Sequence, residues 1–274
     1  MMTNNEKTTA IVGGNGKTGR RVAERLAARG RPVRALSRSS ATPFDWDDPG
    51  TWAPALKGAG SLYLTYHPDL AVPGAAERVQ GVTNAAVEQG VERIVLLAGR
   101  GEPQVHPAED AVRASGVAHT ILECAFFAQN FDEGLLFPVD DVVYFPAGQV
   151  REPFIDCDDI ADVAVAALID PDGQHDGQTY ELTGPRCLTF GEAADAMARA
   201  SDRPIRYQPV SFDAFGGMLA EQLPPAQVEF FIELFRLLMD GHNAHTTDAV
   251  QRVLGRPATD FETYAQRAGA GWAR

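Results

Sequence analysis

The sequence is poor in the features of secreted, membrane and metal-binding proteins. Its only cysteines, Cys124, Cys157 and Cys187, are an odd number, lie far apart and form no CxxC pair. That argues against a disulfide framework or a structural zinc site and points to a reducing cytoplasm. No apolar run reaches the roughly 20 residues that a membrane span needs. The start, Met1-Met2-Thr3-Asn4-Asn5-Glu6-Lys7, is polar, unlike a signal peptide. Positive charge is also short: 24 basic against 37 acidic residues give a formal net charge of −13, with no basic cluster. Such a surface repels a phosphate backbone, so nucleic acid is not an expected partner, although a locally basic, buried phosphate pocket stays compatible with it. No metal is expected either. Asp156, Asp158 and Asp159 lack the glycine and distal Glu of a calcium loop, and a helix N-cap explains them. A Gly-x-Ser-x-Gly nucleophile elbow is missing. So are repeats, low-complexity tracts and Pro/Gly/Ser linkers, which leaves residues 1–274 as a single domain.

What is present is an alternation of strands and helices. Apolar residues make up 45% of the chain and charged residues 22%, enough for a substantial core. Thr8-Thr9-Ala10-Ile11-Val12 is short, apolar and β-branched, as a buried parallel strand should be. From Thr18 to Arg29 the pattern predicts a helix, with Val22, Ala23, Leu26 and Ala27 on one face and arginines on the other. Further strands are expected at 32–36, 61–65, 93–97 and 118–122, with helices at 51–56, 75–89 and 108–115 between them. Repeated β-α-β units with short connections imply an α/β fold built on a parallel, doubly wound sheet. The second half is less regular, with strands at 142–145 and 179–182 and helices at 158–168, 190–200, 225–239 and 247–254. Phe230, Phe231, Leu234 and Leu238 give the 225–239 helix an apolar face. That face suits the sheet, a pocket or another subunit, so a homodimer or a regulatory protein partner stays open.

The informative stretch is Gly13-x-x-Gly16-x-x-Gly19, placed between the first strand and the first helix. One glycine permits the tight turn, one lets the backbone approach a pyrophosphate, and one lets helix pack close to strand. Asn15, Lys17 and Thr18 lie in the same loop, and the helix N-terminus presents free N–H groups to phosphates. The second strand ends in Ser37-Arg38-Ser39-Ser40 instead of an acidic residue. An Asp or Glu there would bind the ribose 2′-hydroxyl of NAD, whereas Arg38, helped by Ser39, suits the 2′-phosphate of NADP. The expected cofactor is therefore NADP(H) in preference to NAD(H).

With these motifs the chain resembles the NmrA-like branch of the atypical short-chain dehydrogenases/reductases. The loop Gly13-Gly14-Asn15-Gly16-Lys17-Thr18-Gly19 is similar to that branch's glycine motif. Thr120-Ile121-Leu122, Phe126-Phe127-Ala128-Gln129-Asn130-Phe131, Asp156-Cys157-Asp158-Asp159-Ile160-Ala161 and Tyr180 to Pro185 extend the likeness over almost the whole chain. The resemblance implies a Rossmann-type core over about residues 8–155 plus later segments. It also implies a small C-terminal substrate-side lobe mostly within 142–274, with the active cleft between them. It places Asp45 and Trp46 beside the adenine. Ala98 stands where the strand usually ends in serine or threonine, and Glu123-Cys124 where the family often has Arg-Pro. Tyr66, His67 and Cys124 follow or end strands where open α/β sheets bind ligands, so they are candidates for the cofactor, with Phe126, Phe127 and Phe154 for a substrate.

The Tyr-x-x-x-Lys pair of the wider superfamily does not align here, since Gly101/Val105 or His106/Asp110 take its place. Alcohol–ketone catalysis is thus not expected. His67 is the candidate proton donor, and a loop histidine without a role explains it equally well. Three functions remain open. One is an NADPH-dependent reductase acting on a small electrophilic substrate of quinone, enone or iminium type, which needs little acid help. A second is a cofactor-binding redox sensor, and a third a non-redox enzyme that retains its cofactor.

Overall fold

The structure is a computed structural model describing residues 7–273; the polar start, apart from Lys7, lies outside the described residues. In chain order the first elements are β1 (Thr8–Val12), α1 (Lys17–Ala28), β2 (Val33–Leu36), α2 (Trp52–Leu56), β3 (Ala59–Leu64) and α3 (Ala75–Glu88). Next come β4 (Arg93–Gly99), α4 (His106–Arg113), β5 (Ala118–Cys124), β6 (Val142–Phe145), β7 (Arg151–Glu152) and α5 (Cys157–Leu168). The chain continues with β8 (Gln178–Leu182), β9 (Leu188–Thr189), α6 (Phe190–Ser201), β10 (Arg206–Pro209) and α7 (Phe212–Ala220). It ends with α8 (Pro225–Leu238), α9 (Ala249–Leu254) and α10 (Phe261–Trp272).

These elements form two compact units, one of residues up to 124 with 157–181, the other of 125–156 with 182 onward. The first unit is a Rossmann-like sheet of order β2-β1-β3-β4-β5-β8. β1 pairs in parallel with β2 and β3, β3 with β4, and β4 with β5. Its central strands read Ala10-Ile11-Val12, Leu62-Tyr63-Leu64 and Ile94-Val95-Leu96, all buried. Continuous apolar runs of this kind are what a sheet covered by helices on both faces requires. α1 packs on α5, while α2, α3 and α4 pack in sequence as a second layer. Arg25 ties the first of these layers, with Nε 2.6 Å from Asp162 and Nη2 2.7 Å from Asp158.

The second unit contains two small sheets, β6 parallel to β10 and β7 antiparallel to β9. Rings fill it. Phe190 lies within 4.9–6.1 Å of Phe126, Phe131, Phe145, Phe154 and Tyr207, centroid to centroid. α6 opens with a capping box in which Thr189 and Glu192 satisfy each other's backbone N–H groups. α7 and α10 are absent from the sequence reading, and both contain paired or near-paired glycines that lower helix propensity. Ser211 and Asp260 cap them, and burial of Phe215, Phe261, Tyr264 and Trp272 supplies what propensity does not. In α8 the buried residues are Leu234, Phe235 and Leu238, while Phe230 and Phe231 are half-buried. Among the described residues, no helix is long and apolar enough to cross a membrane.

Candidate functional site

In the sheet order, β1 continues to β2 on one side and β3 lies on the other. The crevice outside the strand C-termini opens at such a reversal. Gly13 leaves β1 with φ +75°, and a Cβ there would sit 2.2 Å from Thr65 Oγ1 at the end of β3. Thr65 Oγ1 donates to the Val12 carbonyl at 3.1 Å, which closes the two strand ends together. A Cβ at Gly19 would lie 2.3 Å from the Gly13 carbonyl oxygen, so helix and turn can approach only without one. Gly14, not singled out from the sequence, is as constrained: its Cβ would be 2.7 Å from that of Ala35 on β2. Gly16 is less crowded, with 3.1 Å to the Gly13 carbonyl, and it caps α1 without a side-chain hydrogen bond.

The first turn of α1 holds no acidic residue, so the positive end of its dipole is not neutralised locally. Asn15 is exposed, Lys17 is half-buried and Thr18 is buried beneath the loop. This is a cradle of bare backbone and N–H groups, and it fits a dinucleotide pyrophosphate.

Beyond β2, Arg38 is exposed and makes no hydrogen bond or ion pair among the described residues. Around it the serines organise the turn. Ser40 Oγ lies 2.8 Å from the Ser37 carbonyl, and the Ser39 amide donates to Ser37 Oγ at 3.3 Å. Asp45 turns one carboxylate oxygen to the Asp47 amide at 3.0 Å, and its carbonyl accepts from Trp52 Nε1 at 2.7 Å. Trp46 stands between Phe44, edge-on at 5.1 Å, and Tyr66 at 4.6 Å. Burial holds the Tyr66 phenol above its ordinary range despite nearby Arg78. His67, next to it, is exposed.

Ala98 and Cys124 end neighbouring strands and are buried. Burial, then Cys157 and Glu123, push the Cys124 thiol well up, so it is no thiolate nucleophile. His106 opens α4, and a ring nitrogen of His119 lies 3.1 Å from the Val117 carbonyl in β5.

The three phenylalanines belong to the second unit. Phe154 is 3% exposed and packs on Phe126, Phe131, Phe190 and Phe261 in the aromatic core. Phe126 is half-buried in the same cluster, while Phe127 is half-buried and meets no other ring. A cavity of about 170 Å³ in this unit is lined by Arg186, Leu188, Glu192, Asp195, Ala196, Arg199 and Glu262. Arg186 and Arg199 already pair with Glu262, so they offer no unpaired charge to a ligand.

No family model matches the sequence. Full-length relatives do. The NAD(P)H azoreductase of Xenophilus azovorans is 29% identical, over 96% of this chain and 98% of its own. An uncharacterized oxidoreductase of Bacillus subtilis is 30% identical, over 96% and 95%. Among solved structures, the triphenylmethane reductase of Citrobacter sp. complexed with NADP(H) superposes with a TM-score of 0.78 at 22% identity, over 95% of this chain and 99% of that one. The negative transcriptional regulator NmrA gives a TM-score of 0.74 at 16% identity, over 95% of each chain. On its relatives, its sheet and its glycine cradle, this chain belongs to the NmrA-like family of atypical short-chain dehydrogenases/reductases.

Proposed function

We propose that the protein is an NADPH-dependent reductase that delivers hydride to a small electrophilic organic molecule of quinone, enone or iminium type. The observation that carries this reading is the cradle of Gly13, Gly14 and Gly19, where three Cβ atoms would clash and an uncapped helix end faces outward. Gly13, Asn15, Gly16, Lys17, Thr18 and Gly19 would hold the pyrophosphate, and Asp45 and Trp46 the adenine side. Tyr66, His67 and the strand ends at Ala98 and Cys124 would flank the nicotinamide. The dihydronicotinamide supplies the hydride when bound. Arg38, exposed, without an ion pair among the described residues and with Ser39 beside it, is assigned to the 2′-phosphate of NADP, which a planar guanidinium can grip with two hydrogen bonds.

No Tyr-x-x-x-Lys spacing occurs in the sequence, whose lysines are Lys7, Lys17 and Lys57. That favours acceptors more electrophilic than a simple ketone. The relative named as an azoreductase fits the same class.

The test is the loss of NADPH absorbance with a panel of quinones, enones, azo compounds and cyclic iminium ions. Turnover of any class supports the reading. Tight NADPH binding without oxidation across the panel would replace it with a redox-sensing role. Arg38→Ala should weaken NADP binding by about tenfold or more, the worth of a charge-assisted hydrogen bond, and leave NAD binding nearly unchanged. Equal loss for both dinucleotides would remove Arg38 from the assignment.

A further inference from the structure

Helix α8 changes character along its length. Leu234, Phe235 and Leu238 mark its inward side and are buried. Phe231 precedes Leu234 and Phe235 by three and four residues, and Val228 and Gln227 precede Phe231 by the same steps, so all lie on that side. Yet Gln227, Val228 and Phe231 are only half-buried. The core covers the end of this face and leaves its first two turns open. On one flank stands α7, where a Cβ on Gly216 would lie 3.5 Å from Ile232 and 3.9 Å from Val228. On the other flank the Phe230 ring stands 5.3 Å from that of Phe231, inclined at 61°.

The open rings are backed by closed ones. Phe231 lies 5.9 Å from Phe235 and nearly parallel to it, at 16°. Phe235 in turn is 5.0 Å from Phe145 and 6.0 Å from Phe215, all three buried. This floor is therefore fixed before any ligand arrives. The Gln227 side-chain amide makes no hydrogen bond among the described residues. Glu233, three residues after Phe230, and Glu229, one before it, are exposed and make no ion pair among the described residues. The one basic side chain of α8, Arg236, is engaged elsewhere, 4.5 Å over the Phe212 ring and 3.5 Å from Asp213. An anion finds no partner here. A second copy paired across a two-fold axis would bring these carboxylates towards their own images, which opposes a dimer through this face.

We propose that the first two turns of α8 are a binding site for a flat aromatic molecule without negative charge. Phe231 is its floor and Phe230 its wall, and the Gln227 amide meets a polar atom on the ligand's edge. Offset stacking on Phe231 continues the near-parallel arrangement of Phe231 and Phe235, and the inclined Phe230 ring adds an edge contact. A saturated molecule of the same size gains the apolar contact without the stacking. A positive charge spread over the ligand adds attraction to the ring faces and to Glu233. The assignment goes beyond the reductase reading and does not depend on it.

The test titrates the full chain by calorimetry with quinoline, N-methylquinolinium, naphthalene-2-sulfonate and the saturated N,N-dimethyldecahydroquinolinium. Quinoline and N-methylquinolinium should bind with saturation, the cation more tightly. The sulfonate should bind about tenfold more weakly than quinoline, because only like charge faces it. The saturated cation should bind about fivefold more weakly than its aromatic counterpart, the worth of a stacked ring pair. Phe231→Leu keeps apolar bulk and should remove that fivefold advantage, leaving the saturated cation unaffected. Glu233→Gln should narrow the gap between N-methylquinolinium and quinoline by about twofold. Circular dichroism establishes that both variants fold, and the comparison of the two cations on the wild type needs no variant. Absence of saturable binding, equal binding of the aromatic and saturated cations, or unchanged quinoline binding by a folded Phe231→Leu each overturns the site. Sedimentation that shows a wild-type dimer, dissociated by Phe231→Leu, overturns it as well and gives the face to a second copy.

Discussion

The first unit is filled with aliphatic side chains from a parallel sheet, and its glycine loop presents bare backbone and a helix start without an acidic residue. The second is filled with interlocking rings, and its surface is clasped by arginine–carboxylate pairs. Two carboxyls of the first unit behave oppositely to two of the second. In the first, burial without a cation raises Glu102 and Asp69. In the second, the Arg186 guanidinium beside Asp260, and the Thr189 amide with Arg151 beside Glu192, hold those carboxylates below their ordinary range. Burial disfavours the charged form of a carboxyl, and a cation or amide beside it favours that form.

Emptying the ring cluster should have the largest effect on stability. Phe190→Ala is expected to cost about 3–5 kcal/mol, read by denaturant unfolding with Trp272, buried in the second unit, as the fluorescent reporter. A cost below about 1 kcal/mol would mean that the rings close over the gap and that the cluster is not tightly packed. Next comes the backbone cradle. Gly19→Val forces a side chain against the Gly13 carbonyl and should weaken NADPH binding at least tenfold in a fluorescence titration, roughly 1.4 kcal/mol. Unaltered binding would show that the loop is only a structural turn.

The pH dependence of stability separates Glu102 from Asp260 by sign. Glu102, raised on folding, binds a proton more tightly in the native state than in the unfolded one. Its contribution is full below the unfolded carboxyl pKa and is lost as pH rises through the folded value. Asp260 is lowered on folding, so its contribution is present above the unfolded pKa and is lost as pH falls through the folded one. Melting followed across pH should therefore show Glu102→Gln flattening the alkaline decline and Asp260→Asn the acid one. The reverse assignment would break the comparison. The smallest effect is expected from Arg186→Ala. Its pair with Asp260 is well exposed to solvent, so the loss should stay within about 1 kcal/mol in chemical denaturation.

Much of the first unit was legible in the sequence because its signals are local. Thr8–Val12, the glycine triplet and the helix from Lys17 announce themselves within about twenty residues, since strand burial, turn sterics and helix periodicity act over short spans. The second unit was read less well. α7 and α10 carry glycines where a helix former is expected, and Phe154 stands in a segment with no period that separates core from pocket. Phe235, omitted from the apolar face read on α8, packs on Phe145 and Phe215. Only the partners show which rings face inward.

The same division holds at the candidate site. By itself, the sequence determined the β-α-β order, the place of Gly13, Gly16 and Gly19, and the absence of an acid where Arg38 stands, because each depends on a residue's own stereochemistry or charge at one place in the chain. The tertiary structure alone decided that Gly14 must be bare against Ala35 and that Thr65 abuts Gly13. Such pairs are made by neighbouring strands ending at the same edge of a sheet, and the energy of a buried charge depends on what surrounds it in space rather than along the chain.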